Sequence, residues 1–579
     1  MKIIAGASLL LAFTLPSLAQ EVQQPEETSA LAKNTSVQAT EYMVVAAHPL
    51  AAEVGQQVLA DGGSAADAAV AVQMMLNLVE PQSSGIGGGA FALYWDASKQ
   101  ELTSWDGRET APIAATPEYW FGPDGKPVKW FEAVVGGRAV GVPGTLKLLE
   151  TLHQKFGHQP WSDLLMPAII LAEEGFRVSP RLHASITRAV EFNLGAFPKT
   201  RAYFLDAAGV PWPEGHLLTN PAFAEAVGLI AAEGAAYFYE GPIAHKIIAA
   251  TRTPPNPGLL TTGDFRRYEV VERPPVCVNY RGYQVCGMGP PSSGGLTVGQ
   301  ILRILEPLDL GSAGPSTEAY HLFAEASKLA YADRGLYMAD SDFVDMPEGL
   351  LNKAYLAARS RLIDPFAAME QATPGAPPWD EARLFAPDLQ QERPGTSHFV
   401  IVDSAGDMIS MTTTIETGFG SGVMVDGFLL NNELTDFSRT PVRDGNPVAN
   451  RVEGSKRPRS SMAPTIVLKD GKPVLLTGSP GGSRIIAYVA QSLIAMLDWN
   501  MDPQRAVDLG HVVNRNGATD LEEGSDAAAY GLGLQAMGHD VKIRNMNSGL
   551  HVIQIGEDGV LTGAADKRRE GVVLGGARP

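Results

Sequence analysis

Apolar and polar positions change rhythm along this 579-residue chain, and the changes mark its elements. From His48 to about Ala249 the spacing is mostly helical. Within it, LAAEVGQQVLADGGSAADAAVAVQMMLNL reads as two helices broken at Gly62-Gly63, with Ser64 placed to cap the second. A strand, FALYW, starts at Phe91. Residues 253–295 are rich in Pro and Gly but hold a hairpin, CVNYRGYQVC. Helices resume in TVGQILRIL and TEAYHLFAEASKLAYADR, where Leu322, Phe323, Ala326, Leu329 and Ala330 keep helical spacing. From Gln371 to Gly395 the chain is irregular, with Pro374, Pro377, Pro378, Pro387 and Pro394.

After Thr396 the character turns to strands: SHFVIVD, MISMTTTI, GFLLNN, PTIVLKD and PVLLTG. A helix over Ile485–Trp499 interrupts them, and VKIRN and HVIQIG follow near the end. No internal repeat is visible, and residues 20–40 read as a polar, irregular lead-in. Strands between helical layers predict an α+β sandwich.

Composition narrows the picture. A net charge of −19 argues against nucleic acid or an anionic membrane as the main partner. Residues 1–19 read as a signal peptide: Met1-Lys2, an apolar run Ile3–Leu15, then the small-x-small site Ser17-Leu18-Ala19. Export to the periplasm or the medium follows. No later segment reads as a membrane span, because Asp67, Gln73 and Asn77 break the apolar helix at Ala65–Val79. Counting back from Arg281-Gly282 puts Cys277 opposite Cys286, in a pair that accepts a disulfide; two free buried thiols are the alternative. If both are used, no zinc or thiol-enzyme site remains.

Candidate chemistry centres on Gly395-Thr396-Ser397-His398. Cutting the Gly395–Thr396 bond would place an α-amine beside a hydroxyl, so that one residue supplies nucleophile and base. The turn Asp403–Asp407 suits a three-residue loop with Gly406 left-handed, a register that sets Thr396 opposite Thr414; another loop would shift it by one. Alone, Thr396 would be an ordinary strand former. Ser397-His398 lacks a G-x-S-x-G elbow, so His398 reads as structural. Gly85–Ala90 runs from helix to strand, the reverse of a dinucleotide-binding turn. Ser292-Ser293 reads as loop chemistry.

These stretches, in order, resemble the γ-glutamyltransferase family of N-terminal nucleophile hydrolases over nearly the whole chain. The carriers are DGGSAADAAVA (61–71), EPQSSGIGGGAF (80–91), DGRETAP (106–112), GPPSSGGLT (289–297), EASKLAYADR (325–334), TSHFVIVD (396–403), LLNNELTDFS (429–438), KRPRSSMAPTIV (456–467) and TGSPGGSR (477–484).

The resemblance implies a four-layer αββα sandwich. It also implies self-cleavage into a large subunit, 20–395, and a small one, 396–579, sharing one core. Thr396 would attack the γ-carbonyl of a γ-glutamyl amide such as glutathione, Thr414 would orient it, and Gly481 and Gly482 would hold the oxyanion. Arg108, Ser460 and Ser461 would grip the α-carboxylate; Glu433 and Asp436 would hold the α-ammonium. The acyl group would pass to water, an amino acid or a peptide, with no cofactor and no metal.

One departure is Glu416, where the family usually has Asn; a third carboxylate there bears on donor preference. The Phe437–Arg459 segment, which carries a lid in some relatives, is Pro/Gly/Asn-rich here. Two alternatives remain open: an acylase of the same fold for glutaryl-type or larger donors, and a non-catalytic exported binding protein.

Overall fold

The computed structural model describes residue 28 and residues 33–577, apart from 191, 193, 381, 382 and 391; the leader at 1–19 lies outside the described residues. Two seven-stranded sheets carry the fold. In hydrogen-bonding order the threonine sheet runs Val572–Gly576, Tyr42–Ala46, Thr396–Val402, Met408–Thr414, Gly89–Asp96, Glu101–Gly107, Val271–Arg273. The cysteine sheet runs Val37–Ala39, Leu561–Ala565, His551–Ile555, Lys472–Gly478, Thr465–Lys469, Tyr283–Gly287, Val276–Tyr280. Every neighbouring pair is antiparallel.

Three apolar interfaces make this a four-layer sandwich. Phe399 and Ile401 point into a core shared with helices Pro49–Ala60 and Ala65–Val79. Their strand neighbours Val400 and Val402 point the other way, into a thin core between the sheets with Ile466, Leu476 and Ile553. Beyond the cysteine sheet, helices Gly294–Leu305, Thr317–Tyr337 and Ile485–Leu497 close the second helical face. Alternation on a strand buried on both sides explains why SHFVIVD reads as a nearly continuous apolar run.

Helix Ala65–Val79 is buried along its whole length. Ser64 Oγ accepts from Asp67 N at 3.1 Å and Asp67 Oδ2 accepts from Ser64 N at 2.9 Å, a reciprocal cap. Asn77 Oδ1 accepts from Ile86 N at 2.8 Å and so fixes the loop leading into Gly89–Asp96. Two of the polar residues that break this helix's hydropathy, Asp67 and Asn77, are therefore its internal fastenings.

The sheets interleave residues from both sides of Gly395: Tyr42–Ala46 pairs with Thr396–Val402, and Met408–Thr414 pairs with Gly89–Asp96. Several elements differ from the expected pattern. Val37–Ala39, inside the supposed irregular lead-in, is an edge strand on Leu561–Gly563. Only Ala39 of it is buried, so hydropathy carries little trace of it. GFLLNN forms only the two-residue strand Phe428–Leu429, and Val541–Arg544 joins a separate three-stranded sheet. Cys277 and Cys286 face each other and are disulfide-bonded, with Cα atoms 4.0 Å apart. Arg281 and Gly282 both take positive φ, as the tight hairpin between them requires.

Candidate active site

The hairpin register decides where the threonines meet. Asp403 N donates to Asp407 O at 3.0 Å, Gly406 takes a φ of 88°, and Thr396 pairs with Thr414. Both side chains sit at the end of the layer between the sheets, on the face that carries His398 and Thr412 further along. Thr396 Oγ1 lies 3.4 Å from Thr414 Oγ1. Thr414 Oγ1 donates to Gly395 O at 2.8 Å and accepts from Glu416 N at 2.7 Å. The chain runs unbroken through Gly395-Thr396, so the nitrogen of Thr396 is an amide here. A Cβ at residue 395 would lie 1.9 Å from Glu416 O, which leaves glycine alone to precede the threonine.

A narrow cleft opens over this pair. Arg108, Glu416, Glu433, Asp436, Ser460, Ser461 and Gly482 line it together with Thr396 and Thr414, so distant sequence segments converge. Gly481 sits beside Gly482 at the entry to helix Ile485–Leu497, with φ of 139° and 59°. A Cβ on Gly481 would meet the Tyr488 ring at 2.7 Å; one on Gly482 would meet the Arg393 carbonyl carbon at 2.6 Å. Both positions thus require glycine, and the chain ahead of the threonine lies directly on the Gly482 turn.

The charged groups are all buried. Arg108 donates to Glu433 through a very short contact, to Asp436 Oδ2 at 2.6 Å, and to the carbonyls of Pro458 and Arg459 at 3.2 Å. The expected carboxylate grip and the expected ammonium holders are therefore in direct contact here. Ser460 Oγ accepts from Met462 N at 3.1 Å, and Ser461 Oγ donates to Glu392 Oε2 at 3.1 Å, so neither hydroxyl touches Arg108.

Carboxylates outnumber the one arginine. Burial, then Asp436 and Glu433, push the Glu416 carboxyl well above its ordinary value. Burial pushes Asp436 up to about 8, against the pull of Arg108. Glu109, missed in the sequence, is raised by burial and by Glu433. Glu416, Glu433 and Asp436 bring oxygens within 4.8 Å of one another, a spacing that holds a cation. His321, Glu325 and His539 also cluster. There, however, the imidazoles hydrogen-bond each other at 2.8 Å and Glu325 pairs with Lys328 at 2.8 Å, so the donors and acceptors already satisfy one another.

Glu416 takes a φ of 75°, a left-handed conformation that Asn tolerates far better than Glu. His398 is buried, with Nδ1 2.9 Å from Thr412 Oγ1, and burial holds it well below its usual value. Ser397 Oγ turns away to Glu80 Oε2 at 2.6 Å. Ser292 and Ser293 donate to the carbonyls of Met462 and Ser460 at 2.6 Å and thereby position the paired serines. No residue from 437 to 459 lines the cleft; that segment makes a small hairpin, Val442–Arg443 with Asn446–Pro447.

Sequence reasoning also missed Arg569, whose Nη1 donates to Thr396 O at 2.8 Å, and Glu392 with its partners Arg334 and Arg459. Arg334 and Arg459 stand inside motifs quoted above, but nothing in their spacing signals a common partner.

A family model described as Gamma-glutamyltranspeptidase matches residues 51–576. A glutathione hydrolase proenzyme of Bacillus subtilis (strain 168) is 39% identical over 552 residues, covering 92% of this chain and 91% of that protein. An acylase ACY 1 proenzyme of Pseudomonas sp. (strain SE83) is 36% identical over 540 residues, covering 91% and 92%. Among solved structures, a cephalosporin acylase from Bacillus halodurans superposes with a TM-score of 0.82 at 26% identity, covering 98% of this chain and 99% of the other.

Proposed function

This chain belongs to the gamma-glutamyltranspeptidase family, and from that membership and the geometry around Thr396 we infer a self-processing γ-glutamyl hydrolase/transpeptidase. The observation that carries the reading is the excess of buried carboxylates, Glu416, Glu433 and Asp436, beside the threonine pair. A γ-glutamyl donor brings an α-ammonium that compensates them; a glutaryl donor does not.

In maturation, Thr396 Oγ attacks the Gly395 carbonyl carbon, polarised by the Thr414 hydroxyl. The C–N bond breaks, the nitrogen gains the hydroxyl's proton, and an ester remains. Water hydrolyses it, leaving a Gly395 carboxylate and a free N-terminal Thr396. In turnover the same oxygen attacks the donor's γ-carbonyl, and the new α-amine passes the proton to the leaving amine. Backbone N–H groups of Gly481 and Gly482 stabilise the oxyanion. Water or the amine of an amino acid or peptide then takes the acyl group. Arg108, released from part of its carboxylate contact when the ammonium arrives, joins Ser460 and Ser461 on the α-carboxylate.

Maturation would give subunits 20–395 and 396–579. Export is supported by the leader and by the disulfide Cys277–Cys286, which suits an oxidising compartment. Among the described residues no helix is long and apolar enough to cross a membrane.

A second reading, an acylase of the same fold, is favoured by the acylase relatives. Release of anilide from matched γ-glutamyl and glutaryl substrates separates the two. Preference for the γ-glutamyl donor is the expected result; preference for glutaryl would establish the acylase instead.

A further inference from the structure

The segment just ahead of Thr396 is fastened by a side chain that the proposed reaction does not use. Glu392, four residues before Thr396, is 6% exposed and buries its carboxylate beside the cleft. Arg334 Nη2 donates to Oε1 through a very short contact, Arg459 Nε reaches Oε1 at 3.5 Å, and Ser461 Oγ donates to Oε2 at 3.1 Å. Arg334 is braced in turn by Ser293 Oγ and Ser461 Oγ, both at 2.8 Å. Burial alone would raise the Glu392 carboxyl, but the two guanidiniums hold it down at about 2.

The arginines themselves are 4% and 1% exposed. The carboxylates placed on them come from one stretch of chain: Glu392 on both, and Asp388 on Arg459 at 3.1 Å. Downstream the same stretch is tied again, by Arg393 N to Glu416 Oε1 at 3.2 Å and by Gly395 O to Thr414. The scissile carbonyl therefore lies on a span of at most about 10 Å held at both ends.

We propose that Arg334, Arg459 and Ser461 form a carboxylate-binding pocket, filled in the precursor by Glu392, whose occupancy positions the Gly395–Thr396 bond for cleavage. Glu392 is a positioning residue: it touches no reacting atom and acts through the register of the span it anchors. Holding a reacting pair in place is worth orders of magnitude in rate, so losing one anchor is felt in cleavage. The inference rests on the self-cleavage reading.

The test follows the Gly395–Thr396 bond by gel in purified Glu392→Ala precursor, using acetate as the probe. Cleavage is expected to slow about tenfold or more. Glu392→Asp should recover part of the rate, and acetate should restore the Ala variant in a saturable way. Acetate should also raise that variant's melting temperature. Both acetate effects should vanish when Arg459→Met is added. Parental cleavage by Glu392→Ala would overturn the proposal, as would a slowed variant indifferent to acetate in both rate and melting. If the unsubstituted precursor does not cleave, the self-cleavage reading fails, and the acetate-dependent melting shift still decides whether the pocket exists.

Discussion

The two buried ion clusters beside Thr396 are built in opposite senses. Around Arg108 one guanidinium faces Glu109, Glu416, Glu433 and Asp436, none of them on the stretch just ahead of Thr396. Around Glu392 two guanidiniums, Arg334 and Arg459, face carboxylates borne by the segment that precedes Thr396. The first cluster is short of positive charge; the second loses its negative charge if that segment withdraws. Buried charge is tolerated only when compensated, so each imbalance specifies the sign of what must arrive. A cation belongs in the first and an anion in the second, and Thr396 shares the cleft with Arg108 and Glu392.

The sharpest way to break this picture is at the nucleophile. Thr396→Ala should abolish self-cleavage and lower turnover by on the order of 10⁴ or more, whereas Thr396→Ser should keep part of both. A cleaved, active alanine variant, seen by gel and anilide release, would end the mechanism. Next is Arg108→Ala, which strands several carboxylates and should lower stability by roughly 3–5 kcal/mol in denaturant titration. Whatever folds should cleave itself yet bind the γ-glutamyl donor more weakly.

Asp436→Asn tests the acid excess directly. It should raise KM for the γ-glutamyl anilide by about tenfold to a hundredfold and barely move the glutaryl anilide. Equal effects on the two would remove the ammonium from the site. The same residue carries a pH signature. Its carboxyl is raised from 3.8 to about 8, so in that window the folded chain binds the proton and the unfolded chain does not. Stability from this source is present at low pH and is lost as pH rises towards about 8. In a cleavage-dead Thr396→Ala background, the melting advantage of Asp436→Asn should therefore grow from pH ~5 to ~8. A constant offset would mean that Asp436 is ionised throughout. The smallest effect is expected at Glu416→Asn, which relieves a left-handed glutamate and should stabilise by roughly 1 kcal/mol.

Local chemistry was legible in the chain wherever one segment decides it. The hairpin from Asp403 to Asp407 sets Thr396 opposite Thr414 by turn geometry and strand alternation alone, and the cysteine pair follows from the same counting. The helix cap at Ser64 is equally local. The motifs carried the family and with it the αββα sandwich, because their order is specific even where each is ordinary. Edge strands such as Val37–Ala39 were not legible, since a short strand with one buried residue leaves no periodicity to read.

What only the tertiary structure decided is which charges meet. Arg108 lies 325 residues from Glu433 in sequence, and Arg334 lies 58 from Glu392. No pattern of spacing encodes such pairs, because they form only when segments distant along the chain close on one cleft. Periodicity and turn chemistry act over a few residues and are written in the sequence. Compensation of buried charge acts through space, between groups that folding alone brings within reach.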